Sequence, residues 1–173
     1  MKIHKSHLLK YFDQKLSEKD LSDALFKLGH EHEIENDLFE FEITPNRGDC
    51  LSLKGIVRDL QSVYKANFEL ETFDQKIESF DFNFRNEAPS KCPKITFLKL
   101  DIEALPNEYS GDLKSYFQLL DLKKNNFFTD VSNYVAYEIG QPSHCYEFGS
   151  IYNELELKIL KNDENFRSLF NTN

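Results

Sequence analysis

The chain has 173 residues, of which 40% are apolar and 14% aromatic, which is enough to bury one good core or two small ones. Its net charge of −9 excludes a free-standing nucleic-acid binder with a broad basic face, so any contact with RNA has to be local or shared with a partner. Three widely spaced cysteines, without a signal peptide or a run of eighteen apolar residues, predict a soluble protein of the reducing cytoplasm.

The first helix is predicted from about Glu18 to Leu28. Ser17 can cap its N-terminus, and Asp20 lies three residues later, close to the capping-box pattern. Apolar residues then recur at intervals of three and four until Gly29, a natural helix terminator.

A short strand is predicted from Leu38 to Ile43, and a polar turn ends it. The helix after this turn places apolar side chains on one face from Leu53 to Tyr64. Residues 1–70 are therefore predicted to form a small helical N-terminal domain.

Residues 71–91 are predicted to be a connector that packs along a neighbour, because scattered polar residues separate Phe73, Phe80, Phe82 and Phe84 without a regular period.

From Cys92 onward the pattern of apolar and polar residues changes. Alternation from Leu98 to Ile102 predicts a strand that opens a second domain, residues 92–173. In that domain we expect a helix capped by Ser110, a helix carrying residues 131–139, and a strand at residues 154–160.

His30 and His32 alternate with Glu31 and Glu33, which raises the question of a metal site. Helical histidine ligands usually lie four residues apart, and this spacing is two. We predict a solvated segment and no metal site in the chain.

The turn after the predicted strand reads Glu-Ile-Thr-Pro-Asn-Arg-Gly-Asp-Cys-Leu-Ser over residues 42–52. It resembles a stretch in the first domain of the β subunit of phenylalanyl-tRNA synthetase. The resemblance implies that the motif residues Pro45, Asn46, Arg47 and Asp49 are structural, with Arg47 and Asp49 forming an ion pair or a cap rather than a catalytic site.

A second block, Asp130 to Val135 followed by residues 140–146, resembles the pattern V-D-V-T-N-Y-V and G-Q-P-x-H-x-F-D of the same family. In that family the pattern belongs to the third and fourth domains of the β subunit, which hold the pocket that hydrolyses tyrosine mischarged onto the phenylalanine tRNA. The resemblance therefore implies that His144 and Ser132 are catalytic residues of an editing pocket, and that Asn133, Gln141 and Pro142 bind substrate.

Ester hydrolysis needs a positioned water and donors for the developing oxyanion, and a neutral imidazole beside a hydroxyl can serve both needs. A separate hydrolytic site is needed because an apolar pocket discriminates poorly against one extra hydroxyl. The chain departs from the family pattern at Ser132, Glu147 and Phe127, where the family usually has Thr, Asp and Asn.

The resemblance implies an α+β fold in which the small helical domain precedes a mixed α/β editing-type domain that is incomplete at its C-terminal end. It also implies an α2β2 ligase, with the α subunit and tRNA(Phe) as partners and no membrane. No cofactor is expected in this chain, because ATP and Mg²⁺ belong to the α-subunit site of that family. About eight residues separate the stretch 28–33 from the polar turn, too few for the OB fold that many bacterial β subunits insert there.

The sequence leaves three functions open. The first is a segment of the synthetase β subunit, the second is a stand-alone protein that deacylates mischarged tRNA in trans, and the third is a non-catalytic module that binds tRNA or protein.

Overall fold

The computed structural model describes residues 1–67, 72, 75–152 and 154–161. The chain forms two compact units, and each is built from two separate stretches of sequence. Unit 1 comprises residues 1–73 and 104–145, and unit 2 comprises residues 74–103 and 146–173.

Unit 1 contains a three-stranded antiparallel sheet with the order β1-β3-β2, made of β1 (Lys2–His4), β2 (Glu31–Glu35) and β3 (Leu38–Glu42). The turn between β2 and β3 has Asn36 and Asp37 at φ 52° and 65°, as a tight hairpin requires. The predicted strand β3 is confirmed, but the prediction of a helical N-terminal domain was wrong because it overlooked the two outer strands.

Three helices of unit 1 precede residue 61: α1 (Lys5–Leu9), α2 (Glu18–Lys27) and α3 (Leu53–Leu60). The capping box of α2 is present, with Ser17 and Asp20 each accepting a backbone N–H of the other. The helix predicted from 18 to 28 is thereby confirmed. Ser52 caps α3 by accepting a hydrogen bond from the Gly55 N–H. The helix ends at Leu60, so the predicted apolar face, which runs to Tyr64, extends beyond it.

The described part of unit 1 contains two further α-helices, α4 (Gly111–Leu119) and α5 (Phe127–Ile139), and a short 3-10 helix at Gly48–Cys50. Asn126 caps α5, and Gly140 ends it at φ 74°, in the left-handed region that glycine adopts at helix C-termini. Both predicted helices are confirmed. Ser110 precedes α4, as predicted, but makes no side-chain capping bond.

The core of unit 1 lies between the inner face of the sheet and the helices α1 to α3. Phe39 and Phe41 are buried on that face, whereas Glu40 and Glu42 of the same strand are exposed, so β3 alternates as its sequence does. The fully enclosed side chains of this core are Ile3, Leu8, Leu21, Leu25, Phe39, Cys50, Ile56, Val57 and Leu60.

Unit 2 contains a two-stranded parallel sheet of β4 (Phe84–Asn86) and β5 (Leu155–Leu157). The predicted strand at residues 154–160 is confirmed in its first half, and β4 lies inside the predicted connector. Phe80, Phe82 and Phe84 pack on other rings of unit 2, and Phe73 lies outside the described residues. The strand predicted at 98–102 was wrong, since these residues have no regular secondary structure.

The fold class is α+β, as predicted. The boundaries at residues 70, 91 and 173 describe family domains rather than contacts, and they stay a prediction. Within the described part of the chain, no helix has both the length and the apolar character needed to cross a bilayer.

Candidate functional site

The polar turn after β3 carries an ion-pair network. Arg47 donates to both carboxylate oxygens of Asp49 at 3.1 Å, and to Asp59 of α3 at 2.5 Å. Arg58 also pairs with Asp49. Hydrogen bonds from Arg47 hold the pKa of Asp49 well below its usual range. The expected ion pair between Arg47 and Asp49 exists in the structure, while the structural role of the motif stays a prediction.

Next to this network lies a buried polar cluster around His30 and His32, which the sequence did not indicate. The imidazole of His30 donates from Nε2 to Asp59 at 2.9 Å, and His30 is only 4% exposed. His32 is also buried, and it bonds to the His30 carbonyl and to Ser22. The prediction of a solvated segment at residues 30–33 was wrong for the two histidines. Their spacing of two turns both rings to the covered side of the chain, where His30 meets α3 and His32 meets α2, whereas Glu31 and Glu33 are exposed.

His30, Cys50 and Asp59 bring a nitrogen, a sulfur and a carboxylate oxygen within 4.8 Å of one another, the distances of a metal-ligand set. The guanidinium of Arg47 already lies among them, 2.8 Å from the Cys50 sulfur and 2.5 Å from Asp59. Burial, with Asp59 nearby, raises the pKa of the Cys50 thiol to about 12. The arrangement fits an internally satisfied ion-pair network better than a cation site.

The second motif block spans α5 and the loop that follows it. Ser132 is partly buried on α5, and its hydroxyl lies 3.7 Å from the sulfur of Cys145. The loop therefore folds back along α5 and brings the neighbour of His144 to Ser132. The other predicted site residues, Asn133, Gln141, Pro142 and His144, have exposed side chains.

The two motif blocks, about ninety residues apart in sequence, meet in unit 1. A β-carbon built on Gly140 would lie 3.3 Å from the Cβ and Oγ of Ser52, the last residue of the first block. Next to this contact, Lys54 pairs with Glu138 at 3.5 Å, with both side chains mostly covered. The polar turn thus supports the start of the loop that carries His144.

Another polar cluster joins α1 to the two later helices of unit 1. The ring nitrogens of His7, which is 3% exposed, lie 2.8 Å from the Tyr137 hydroxyl and 2.9 Å from the Ser115 hydroxyl. A cavity of about 20 Å³ adjoins it, lined by Tyr134 and Tyr137 among others. The sequence carries no signal for this cluster, since its partners lie 108 and 130 residues away.

Unit 2 contains a shallow cavity of about 170 Å³, lined by Asp81, Phe82, Asn83, Phe148 and Ile151. None of the residues predicted from the second motif block lines it. The candidate site therefore consists of the loop after α5, residues 140–146 (the α5 loop), and of the polar turn that contacts its first residue.

Comparisons with known proteins agree on one family. The chain is 34% identical over 126 residues to the phenylalanine–tRNA ligase β subunit of Rickettsia bellii, covering 68% of the chain and 14% of the relative. It is 29% identical over 135 residues to that of Fusobacterium nucleatum, covering 76% and 17%. It is 24% identical over 172 residues to that of Corynebacterium jeikeium, covering 89% and 20%.

The chain spans between 14% and 22% of the length of these and similar curated relatives. No protein-family model matches it. The similarity nevertheless covers most of the chain, including both motif blocks, and extends to relatives from several bacterial genera. The chain belongs to the family of phenylalanine–tRNA ligase β subunits and matches only part of their length.

Proposed function

We propose that the chain acts as a segment of a phenylalanine–tRNA ligase β subunit and supports formation of Phe-tRNA together with an α subunit. The observation that carries the proposal is the contact between Gly140 and Ser52, because it joins the two blocks that resemble the family in one compact unit. The relatives named as β subunits support the same role.

Within that role, the α5 loop contributes to a pocket that hydrolyses tyrosine mischarged onto tRNA(Phe). His144 positions the attacking water, and Ser132 orients it or donates to the developing oxyanion. The contact of Ser132 with Cys145 and the exposure of Asn133 and Gln141 support this assignment, since a tRNA 3′ end needs an open surface.

Activation of phenylalanine with ATP and Mg²⁺ is assigned to the α subunit. The chain contributes no phosphate-binding loop to that chemistry. With a net charge of −9, it contacts tRNA through a local surface or jointly with the α subunit.

The test is a deacylation assay on the 173-residue chain, alone and mixed with the α subunit of a family member, with Tyr-tRNA(Phe) and Phe-tRNA(Phe) as substrates. We expect preferential loss of the tyrosyl ester, and His144→Ala and Ser132→Ala should each slow it by about tenfold or more. Ser143→Ala is the matched control, because it removes a hydroxyl exposed on the same loop without touching either proposed catalytic group.

The outcomes separate the three functions. Hydrolysis by the chain alone identifies a stand-alone deacylase, and hydrolysis that needs the α subunit identifies a ligase segment. Binding to the α subunit or to tRNA at buffer-level hydrolysis, unchanged by His144→Ala, contradicts the editing assignment and leaves a non-catalytic module.

A further inference from the structure

An exposed aromatic ring lies next to the proposed catalytic hydroxyl on α5. Phe128 is 38% exposed and precedes Ser132 by four residues, so both side chains lie on one face of the helix, about 6 Å apart along its axis. The sulfur of Cys145 lies 4.0 Å from the Phe128 carbonyl oxygen and 3.7 Å from the Ser132 hydroxyl. The α5 loop, which carries His144, therefore lies against the same stretch of helix as the ring.

Two lysines precede this ring in the loop that joins α4 to α5, residues 120–126 (the α4–α5 loop). Lys123 and Lys124 are exposed, and the ammonium of Lys124 lies 4.4 Å from the centre of the Tyr109 ring. They place two positive charges at the Phe128 end of α5, in a chain whose net charge is −9. An acidic chain that contacts RNA needs a local surface of this kind.

A fully buried carboxylate fixes the conformation of the α4–α5 loop. Asp130, in the first turn of α5, accepts a hydrogen bond from the Tyr109 hydroxyl at 2.7 Å. Its two carboxylate oxygens also accept from the backbone N–H of Asn125, each at 3.1 Å. One buried group thus holds both the ring that lies under the Lys124 ammonium and the backbone next to it. A site that is ordered before its ligand arrives loses less entropy on binding.

We propose that Phe128 stacks on the terminal base of the tRNA 3′ end, and that Lys123 and Lys124 contact the phosphates before this base. The inference rests on the proposed editing function and assigns the parts of its substrate to residues. From the start of α5 onward, the chain presents the lysines, then the ring, then Ser132. The end of a charged tRNA presents phosphate, then the ribose with its base, then the ester. The two orders match, so the ester lies at Ser132 when the base lies on the ring.

The tyrosyl ring of the substrate is the other flat group that an aromatic side chain here could contact. It lies beyond the ester, on the side away from the phosphates. With the phosphates at Lys123 and Lys124, the tyrosyl ring therefore points away from Phe128. A single-stranded end is also the part of a tRNA whose bases are free to stack on an aromatic side chain, and such stacking needs no hydrogen-bonding edge beside the ring.

The first test measures binding of uncharged tRNA(Phe), and of the same tRNA without its terminal adenosine, to the 173-residue chain alone and mixed with the α subunit of a family member. We expect Phe128→Leu to raise the dissociation constant for the complete tRNA by about fivefold or more, because leucine keeps apolar bulk but has no ring face. Removal of the adenosine should weaken binding similarly, and Phe128→Leu should then add little. Phe128→Trp should preserve binding of the complete tRNA.

Phe26→Leu is the matched control, because Phe26 is 54% exposed and is followed by Lys27 on α2 of the same unit, outside both motif blocks. It should leave both dissociation constants unchanged. Equal effects of Phe128→Leu on the complete and the shortened tRNA overturn the proposal, as does the absence of tRNA binding with and without the α subunit. Weaker binding of the α subunit by Phe128→Leu, with tRNA binding unchanged, shows that a protein covers the ring and overturns it too.

The second test measures how the dissociation constant for tRNA(Phe) depends on salt. Each phosphate contact on a single strand contributes about 0.7 to the slope of log affinity against log salt concentration. The double variant Lys123→Gln, Lys124→Gln should therefore lower this slope by about 1 to 1.5, whereas Lys27→Gln should not change it. An unchanged slope in the double variant overturns the phosphate contacts.

Neither binding test requires hydrolysis, so this inference and the proposed function can fail separately. Preferential hydrolysis of Tyr-tRNA(Phe), without coupling between Phe128 and the terminal adenosine, overturns this inference and leaves the editing function. Coupling between the ring and the adenosine at buffer-level hydrolysis supports this inference and contradicts the editing function.

Discussion

At the scale of single residues, the buried imidazole of His7 makes stability depend on pH. Burial, with Lys10 and His4 nearby, lowers the pKa of His7 from 6.5 to about 4. As the pH falls, the unfolded chain therefore takes up this proton before the folded chain does. We expect the free energy of unfolding to be highest above pH 6.5 and to fall between pH 6.5 and about 4, by roughly 3 kcal/mol in total. Denaturant titrations at pH 7.5 and 5.5 measure the upper part of this change.

The matched control is His7→Asn, which keeps hydrogen-bonding groups at that position but does not titrate. Asp20, Asp37 and Asp49 have pKa values below their usual range, so the stability that they contribute is lost at lower pH than this window. If the variant and the original chain lose equal stability between pH 7.5 and 5.5, another group is responsible.

The ion-pair network shows which residue contacts a sequence can reveal. The pairing of Arg47 with Asp49 spans two residues, and the resemblance to a known motif indicated it in advance. The contacts of Asp59 with Arg47 and His30 span 12 and 29 residues. They depend on how α3 lies against the sheet, so no local pattern predicts them, and His30 was wrongly placed in solvent.

At the scale of elements, the N-terminus of α3 requires a glycine. A β-carbon at Gly55 would overlap the backbone oxygen of Asp49, which cannot move away like a flexible side chain. Alanine is the better helix former by about 1 kcal/mol, so propensity alone predicts that Gly55→Ala stabilises the chain. We expect the opposite, a loss of about 1 to 3 kcal/mol measured by thermal or denaturant unfolding.

Gly48→Ala serves as the comparison for that variant, because a β-carbon at Gly48 meets no atom within 4 Å. Its effect should stay within about 0.5 kcal/mol. A stable Gly55→Ala variant would mean that the turn at Asp49 can retreat from α3, and that the first motif block is less rigid than its contacts indicate.

Helices whose caps and apolar faces are visible in the local sequence were predicted well, whereas strands that depend on a neighbouring strand were not. The helix α2 carries its own capping box and apolar stripe, so its bounds follow from residues 17–29 alone. Alternation at 98–102 is as regular as in β3, yet a strand forms only where a neighbour accepts its backbone bonds. The strand β1 forms because it pairs with β3, and its three residues are too few to give a recognisable alternation in the sequence.

For the candidate site, the resemblance supplied the residues but not their arrangement. Ser132 and His144 were predicted as a pair from two adjoining patterns. That the loop would rest on Ser52 could not be predicted, because it depends on packing between α3 and α5.

At the scale of the whole molecule, the two units differ in how much they bury. Of the described apolar side chains that are buried, only Ala88 belongs to unit 2. We expect hydrogen exchange, followed by mass spectrometry, to be slowest in β3 and α3 and markedly faster in β4 and β5, because local opening exposes little apolar surface in unit 2. Equal protection of both units would contradict this expectation. Addition of a partner that covers unit 2 should slow exchange in that unit first.

Because unit 1 is built from two separate stretches of sequence, its first stretch is synthesised on the ribosome well before its second. The hydroxyl partner of His7 on α5 lies 130 residues downstream. At roughly 5 to 20 residues per second, the nascent chain exposes the polar ring of His7 for several seconds or longer before Tyr137 is made. Unit 1 can therefore collapse around its sheet early, but it closes only after the first stretch of unit 2 has already emerged.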